Sequence, residues 1–215
     1  RLKMKKQILL LFLLYSIVAF SQKKEMVDNF WKGNYDKTIE IGKQILQSEP
    51  NDFETILLIA RAEDEKGNFK NAIPYLESAK KMMSEDWQKS WAFIELAKNS
   101  FGTGKLDDAK LFYNEALKIK GTKNSEKELK KFGMLTGLDE YHKNWKIRET
   151  QNIIFHFENS INENEIERIT KTRQIAFEQI NAFFNSKLPK KIDFFVWNLN
   201  ESYNQILNTN LGFSN

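Results

Sequence analysis

The sequence predicts a mainly α-helical chain: an α-solenoid of about three helix-turn-helix repeats with a capping helix, followed by a partial α/β segment. Two observations predict this organisation. A motif that begins with glycine recurs after 34 residues, a period typical of stacked helical repeats. After Leu138 the spacing of apolar residues changes from a helical period to alternation, which indicates β-strands.

The repeated motif is a glycine, a polar residue, and then an aromatic residue or leucine. It occurs at Gly33-Asn34-Tyr35, Gly67-Asn68-Phe69 and Gly104-Lys105-Leu106. The second and third copies are 37 residues apart, and the three extra residues fall at Trp87 to Lys89. This position lies between repeats, so the insertion interrupts no predicted helix.

Each glycine is expected to end the first helix of its repeat, helix A, through a positive φ that glycine adopts at low cost. The second helix, helix B, is expected to carry small or near-small residues where neighbouring helices pack closely. Generic amphipathic helices would explain the helical period of the apolar residues. They would not explain why glycine and alanine recur at equivalent positions of successive repeats. The positions are Thr38 and Ile45, Ala72 and Ala79, and Ala109 and Ala116.

With these motifs, Gln22 to Gly121 resembles the tetratricopeptide repeat family. The resemblance implies antiparallel helix pairs stacked in a right-handed superhelix, with a concave groove lined by helix A residues that binds a protein or peptide. Gly42 departs from the family pattern, which usually has a bulky residue there. The implied groove residues are Lys23, Val27, Phe30, Trp31, Leu57, Arg61, Asp64, Glu65, Ile94, Lys98 and Phe101.

These groove residues combine apolar side chains with charges of both signs, which suits an extended peptide or a helix of a partner. They lack the cluster of lysine and arginine that would bind a terminal carboxylate. For Phe30, Trp31 and Phe101, packing against a neighbouring domain is an open alternative.

A capping helix and a connector are predicted at 122–148. Ser125 and Glu128 form a capping box at the start of this helix. The connector runs from Tyr141 to Trp145, with His142 expected at the surface. The apolar residues expected to cover the end of the solenoid are Leu129, Phe132 and Leu135.

Residues 149–215 are predicted to form a truncated α/β domain. Asn152 to Glu158 alternates apolar residues with others, as a strand does. Asn162 and Glu165 cap a long helix, and Glu201 to Leu207 is a second, short helix. The long helix carries an apolar stripe of Ile166, Ile169, Ala176, Phe177, Ile180, Phe183 and Phe184.

A second strand, Ile192 to Trp197, is apolar on both faces and is therefore predicted to be central. A crossover through the long helix would make it parallel to the first strand. One helix covers only one face of a sheet. The other face, which carries Ile154 or Phe195 and Trp197, is therefore expected to expose a large apolar patch.

Trp145 to Asn215 resembles the opening part of peptidase MA-like (gluzincin) metallopeptidase domains, which occur joined to tetratricopeptide repeats in secreted bacterial proteins. The likeness rests on Glu149 to Phe157, the long helix, the second strand, and Ser202-Tyr203 leading to Gly212-Phe213. The resemblance implies zinc bound by the histidines of an H-E-x-x-H motif, with the glutamate as general base.

The chain departs from this family at the catalytic motif. Its two histidines, His142 and His156, are 14 residues apart, and neither belongs to such a motif. His156 is expected to be a hydrogen-bonded sheet residue rather than a metal ligand. No catalytic, cofactor-binding or metal-binding residue is therefore assigned, and no cofactor is expected in this chain.

The N-terminus is predicted to be a secretory signal peptide, residues 1–21. Lys5 and Lys6 precede an apolar run of 13 residues from Ile8 to Phe20, which is shorter than the roughly 20 residues of a membrane-spanning helix. Cleavage after Ser21 would leave a secreted or periplasmic protein without a stable membrane anchor. With no cysteine in the chain, disulfides and a lipoprotein anchor are not expected.

The formal net charge of +4 comes from basic residues in this leader. Four of the 33 lysine and arginine residues precede Ser21 and no acidic residue does, so 29 basic residues face 29 acidic ones in the remainder. The remainder is near neutral and shows no basic stripe. A nucleic-acid partner is therefore not expected.

Two functions remain open. The first is a secreted interaction or scaffold module with a protein or peptide partner in its groove and no complete active site. The second is the N-terminal fragment of a secreted zinc peptidase whose H-E-x-x-H motif and zinc lie beyond residue 215. Arg1 and Leu2 before Met4, and a loop-like end at Asn208 to Asn215, suggest a longer reading frame.

Overall fold

A computed structural model of the chain describes residues 21–186, 188 and 191–198. These residues are mainly α-helical and form eight helices and one three-stranded sheet, which confirms the predicted class in outline. They divide into two compact units between Leu129 and Lys130, inside the predicted segment 122–148. No helix in the described part is long and apolar enough to cross a membrane.

The helices of the first unit are α1 (21–31), α2 (Tyr35–Ser48), α3 (Phe53–Glu65), α4 (Phe69–Met82), α5 (Asp86–Gly102) and α6 (Leu106–Leu117). The next helix, α7 (Lys123–Thr136), contains the division between the units. The second unit continues with β1 (Lys146–Glu149), β2 (Ile153–Phe157), α8 (Glu163–Phe184) and β3 (Ile192–Val196). Helix A of the predicted repeats corresponds to α1, α3 and α5.

The turns after α1, α3 and α5 share one backbone geometry. Gly33, Gly67 and Gly104 each have a φ of 76°. In every case the glycine N–H donates to the carbonyl three residues earlier, and the following N–H donates to the carbonyl five residues earlier. This is the hydrogen-bond pattern of a helix C-terminus at which a glycine adopts a positive φ. The predicted glycine turns are confirmed.

The predicted small positions of helix B are all buried. None of the six side chains on α2, α4 and α6 is more than 1% exposed. Ala72 and Ala79 pack with Leu76 in a core cluster that also contains α3 and α5 residues. The absence of longer side chains at these two positions therefore permits the close approach of α4 to its neighbours.

Replacing Ala72 by leucine is expected to destabilise the chain by roughly 1 to 3 kcal/mol, because a filled core must shift to admit the added atoms. Asn71→Leu is the matched control, since Asn71 lies on the exposed side of the same helix. The comparison requires thermal melts of both variants. Equal stability of Ala72→Leu and the wild type would contradict the proposed register of helix B.

Gly42, the departure from the repeat pattern, lies at a close contact of α2 with α1 and α3. A Cβ at this position would come within 2.6 Å of Ile59 and 2.7 Å of Met26. Both neighbours are buried in the same core cluster as Phe30. Long side chains from the adjacent helices thus occupy the space that a bulky residue at position 42 would fill.

The start of α7 differs from the prediction. The helix begins at Lys123, before the predicted cap Ser125. Thr122 Oγ1 accepts a hydrogen bond from the Ser125 N–H at 3.1 Å, and Ser125 Oγ accepts one from the Thr122 N–H at 2.9 Å. The cap is therefore Thr122, and the buried Ser125 hydroxyl also accepts a hydrogen bond from Ser90 of α5. The capping box with Glu128 was wrong.

The sheet of the second unit has the order β1-β2-β3. β2 is antiparallel to β1 and parallel to β3, which confirms the parallel pairing of the two predicted strands. The predicted central position of β3 is wrong for the described sheet, where β2 lies in the middle. Strand β1 was not predicted, because its sequence, Lys146 to Glu149, is largely charged and exposed.

The long helix α8 packs on one face of this sheet. Asn162 caps it, accepting a hydrogen bond from the Glu165 N–H at 3.0 Å as predicted. Ile166 packs in a cluster with Ile153, Phe155 and Phe157. Ile169 and Phe177 are partly buried against this cluster. The C-terminal end of the predicted stripe is exposed, since Ile180, Phe183 and Phe184 are 57%, 83% and 69% exposed.

The opposite face of the sheet is covered by the predicted connector, so the expected open patch there was wrong. The His142 ring lies 4.4 Å from the Phe195 ring and 5.3 Å from the Trp197 ring, centroid to centroid. Trp145 adds an edge contact to Trp197 at 4.8 Å. Aromatic residues of the connector therefore cover the face that was expected to be exposed.

Three predictions concern segments outside the described residues. They are the signal peptide before Ser21, the short helix Glu201 to Leu207 and the loop-like end Asn208 to Asn215. The motif residues Ser202-Tyr203 and Gly212-Phe213 also lie outside them. All of these remain predictions.

Candidate functional site

Arg61 of α3 lies between two aromatic rings contributed by α1 and α5. Its guanidinium carbon is 4.9 Å from the centre of the Phe30 ring and 5.0 Å from that of Trp91. Both distances are in the range of a cation–π interaction. One predicted groove residue, Arg61, thus joins the three A helices of the first unit.

The counterion of Arg61 is Glu95, whose side chain is 1% exposed. Arg61 Nε forms an ion pair with Glu95 Oε1 at 2.9 Å, and neither carboxylate oxygen of Glu95 accepts a hydrogen bond. The second oxygen, Oε2, lies 3.5 Å from Lys98 Nζ. Two cations therefore compensate one buried carboxylate without hydrogen bonds.

Lys98 of α5 contacts carboxylates from three helices. Its Nζ is 3.5 Å from Glu95, 3.1 Å from Glu128 of α7 and 3.9 Å from Glu65 of α3. Burial alone would lower the pKa of Lys98, but the nearby negative charges of Glu95 and Glu128 outweigh it and raise the pKa. The lysine is therefore charged and is shared among these three acids.

Asp64 of α3 lies beside this network. Its Oδ1 accepts a hydrogen bond from Asn99 Nδ2 at 2.7 Å, while its buried Oδ2 has no hydrogen-bond partner. The pKa of Asp64 is raised to about 7, mainly by burial; the Asn99 hydrogen bond opposes this shift, and the charge of Glu95 adds to it. We call Arg61, Asp64, Glu65, Glu95, Lys98, Asn99 and Glu128 the charged cluster.

Next to the charged cluster, α1 presents exposed apolar side chains. Trp31 is 74% exposed and Val27 is 41% exposed. The Trp31 ring meets Phe30 edge to face at 5.5 Å, and Phe30 in turn contacts Arg61. Trp31 is thus linked to Arg61 of the charged cluster through the buried ring of Phe30.

Several predicted groove residues do not belong to this surface. Phe30, Leu57 and Ile94 are at most 6% exposed, so they pack in the core and are not available to a partner. Lys23 pairs instead with Glu49 and Asp52 at the α2–α3 turn. Phe101 is partly buried near the end of α5. We leave these residues out of the proposed contact surface.

Four residues of this surface were missed by the sequence analysis: Trp91, Glu95, Asn99 and Glu128. Trp91, Glu95 and Asn99 follow one another at intervals of one helical turn, and Lys98 precedes Asn99 on α5. Their spacing alone therefore places them beside Lys98 on one face of the helix. Glu128 lies on α7, and only the fold brings it to Lys98.

The second unit contains a separate aromatic cluster around His142. His142 was predicted at the surface, but it is 5% exposed, and neither ring nitrogen has a hydrogen-bond partner. Burial and, to a smaller extent, the charge of nearby His156 lower its pKa to about 4. The imidazole is therefore neutral at pH 7. The surrounding rings are Tyr141, Trp145, Phe195 and Trp197.

His156 is the hydrogen-bonded sheet residue that the sequence predicts. Its Nε2 lies 2.8 Å from Asp193 Oδ1 on β3, and its ring stacks on Phe195. In the described part of the chain, no three histidine, aspartate or glutamate side chains are grouped so that they could hold a metal ion. His156 therefore lies in the sheet, and His142 lies in the aromatic cluster that covers one face of the sheet.

Comparison with known proteins adds no family assignment. No protein-family model matches the chain, and no curated protein matches it. The two family resemblances therefore rest on the residues that carry them.

Proposed function

We propose that this chain is a secreted interaction module of the tetratricopeptide type, which binds a segment of a partner protein. The three turns with the same geometry and the buried small residues of α2, α4 and α6 support the repeat assignment. α3 contacts α2, α4 and α5, as the middle helix of stacked pairs should. The proposal includes removal of the signal peptide and involves no cofactor.

The observation that carries this proposal is the exposed Trp31 beside the charged cluster. A 74% exposed tryptophan leaves a large apolar ring in water. Tryptophan and arginine are the residues most enriched among those that dominate binding to protein partners. The surface that carries Trp31 of α1 and the charged cluster of α3 and α5 is called the α1/α3/α5 surface. It combines such a tryptophan with Arg61, whose guanidinium lies between the Phe30 and Trp91 rings.

Replacing Trp31 by alanine is expected to weaken partner binding about tenfold or more, as loss of a central tryptophan does at protein interfaces. Peptides selected from a random phage-displayed library on the full chain serve as ligands, and fluorescence anisotropy gives their affinities. Leu111→Ala is the matched control, because Leu111 is 54% exposed on α6, a helix B. Equal losses in the two variants would contradict the proposed surface.

The alternative function is the N-terminal fragment of a secreted zinc peptidase. The strands β2 and β3 are parallel and are connected by α8. This arrangement favours the peptidase alternative, because the resemblance implies the same strand-helix-strand order. The coding sequence after Asn215 tests this alternative. It either continues into an H-E-x-x-H motif or does not, and the second result would remove the peptidase proposal.

A further inference from the structure

The charged cluster holds more acidic groups than basic ones. Its four carboxyl groups are Asp64, Glu65, Glu95 and Glu128, and its two cations are Arg61 and Lys98. Both cations are engaged, because Arg61 pairs with Glu95 and Lys98 lies within 4 Å of three carboxylates. The cluster therefore has no unengaged positive group for an acidic ligand.

The buried part of the cluster also has fewer hydrogen bonds than its carboxylate oxygens can accept. Both oxygens of Glu95 and one oxygen of Asp64 are buried without a hydrogen bond. Carboxylate oxygens in such a place are usually satisfied by several N–H groups, and leaving them unsatisfied is costly. A cation placed near Asp64 would favour its ionised state.

The accessible edge of the cluster is acidic as well. The Glu65 side chain is 44% exposed and that of Glu128 is 29% exposed. Both approach the same Lys98 ammonium, at 3.9 Å and 3.1 Å. A second cation at this edge would meet two partly exposed carboxylates.

We propose that the partner segment carries a lysine or arginine side chain, which binds at the Glu65 and Glu128 edge while an apolar residue of the same segment contacts Trp31. This inference rests on the proposed function and names the chemistry of its ligand. Charge complementarity is the argument, because four carboxyl groups share two cations at this surface. An acidic segment would meet the exposed carboxylates and be repelled.

The test uses three synthetic peptides of nine residues. They share three leucines and differ at two fixed positions, which carry lysine, serine or glutamate. Affinities for the full chain come from fluorescence anisotropy at low and at high salt. The lysine peptide is expected to bind roughly tenfold more tightly than the glutamate peptide, and salt is expected to reduce the difference.

Two variants test whether the preference for the lysine peptide arises at Glu65 and Glu128. Glu65→Gln and Glu128→Gln are each expected to weaken the lysine peptide about threefold and to leave the serine peptide unchanged. Glu115→Gln on α6 removes an exposed glutamate outside this surface and is the matched control. It should change neither affinity.

The outcomes separate the two proposals. Equal affinities of the three peptides, or tighter binding of the glutamate peptide, would overturn the inference and leave the interaction surface in place. Binding that prefers lysine but is unaffected by Glu65→Gln and Glu128→Gln would overturn it too. No binding by any of the three would contradict the proposed function itself.

Discussion

Replacing Arg61 by methionine is expected to lower the free energy of unfolding of the first unit by about 3 kcal/mol. The change removes the nearer of the two cations that compensate Glu95, whose side chain is 1% exposed. It also removes the cation–π contacts with Phe30 and Trp91. A buried carboxylate that loses its counterion is among the more destabilising changes in a protein interior.

Two further variants make this prediction specific. Lys66→Met removes an ion pair with Asp36, whose side chain is 87% exposed, and is expected to cost less than about 1 kcal/mol. Adding Glu95→Gln to Arg61→Met should recover part of the loss, because a neutral amide needs no cation. Urea dependence of amide hydrogen exchange in α3 and α5 measures all three. A loss from Arg61→Met no larger than that from Lys66→Met would contradict the compensating role of Arg61.

Acidification is expected to destabilise the second unit through His142, by up to about 3 kcal/mol between pH 8 and pH 4. Burial lowers the pKa of the folded-state imidazole to about 4. In the unfolded chain the same group binds a proton at a pKa of about 6.5. Between these two pKa values the unfolded state binds more protons than the folded state. The contribution of neutral His142 to the free energy of unfolding is therefore fully present above pH 6.5 and is lost as the pH falls toward 4.

Asp139 acts in the opposite direction and must be separated from His142. Its carboxylate oxygen lies 3.5 Å from His142 Nδ1, and burial raises the pKa of Asp139, although a backbone hydrogen bond from Tyr141 lowers it. Protonation of Asp139 therefore favours the folded state as the pH falls, and a neutral Asp139 gives no counterion for a protonated His142.

The control for this pH dependence is His142→Phe, which keeps an aromatic ring in the cluster and leaves Asp139 in place. Urea unfolding at a series of pH values, followed by near-ultraviolet circular dichroism of the aromatic cluster, measures stability. The wild type should lose stability relative to His142→Phe below pH 6.5. Parallel pH profiles of the two proteins would show that His142 is not the group responsible.

What the sequence predicted correctly is mostly local. Gly33, Gly67 and Gly104 end their helices at positive φ because this geometry depends on neighbouring residues of the same turn. The alternation of β2 and the cap at Asn162 are also local patterns. Such features can be recognised from a few adjacent residues, without knowledge of what packs against them.

The predictions that failed depend on distant parts of the chain. His142 is buried because Phe195 and Trp197, more than 50 residues later, lie against it. Glu95 lies between Arg61 of another helix and Lys98 of its own, so its burial follows from the packing of α3 on α5. No periodicity within α5 distinguishes such a glutamate from a solvated one.

The most direct test of the proposed function is the footprint of a bound peptide on the chain. Amide hydrogen exchange of the full chain is measured with and without a peptide selected on it from a random library. We expect slower exchange in α1, α3 and α5, centred on the turns of helix that carry Trp31, Arg61 and Lys98, and unchanged exchange in α6. Protection confined to helix B or to the second unit, or no protection anywhere, would contradict the proposal that the α1/α3/α5 surface binds the partner.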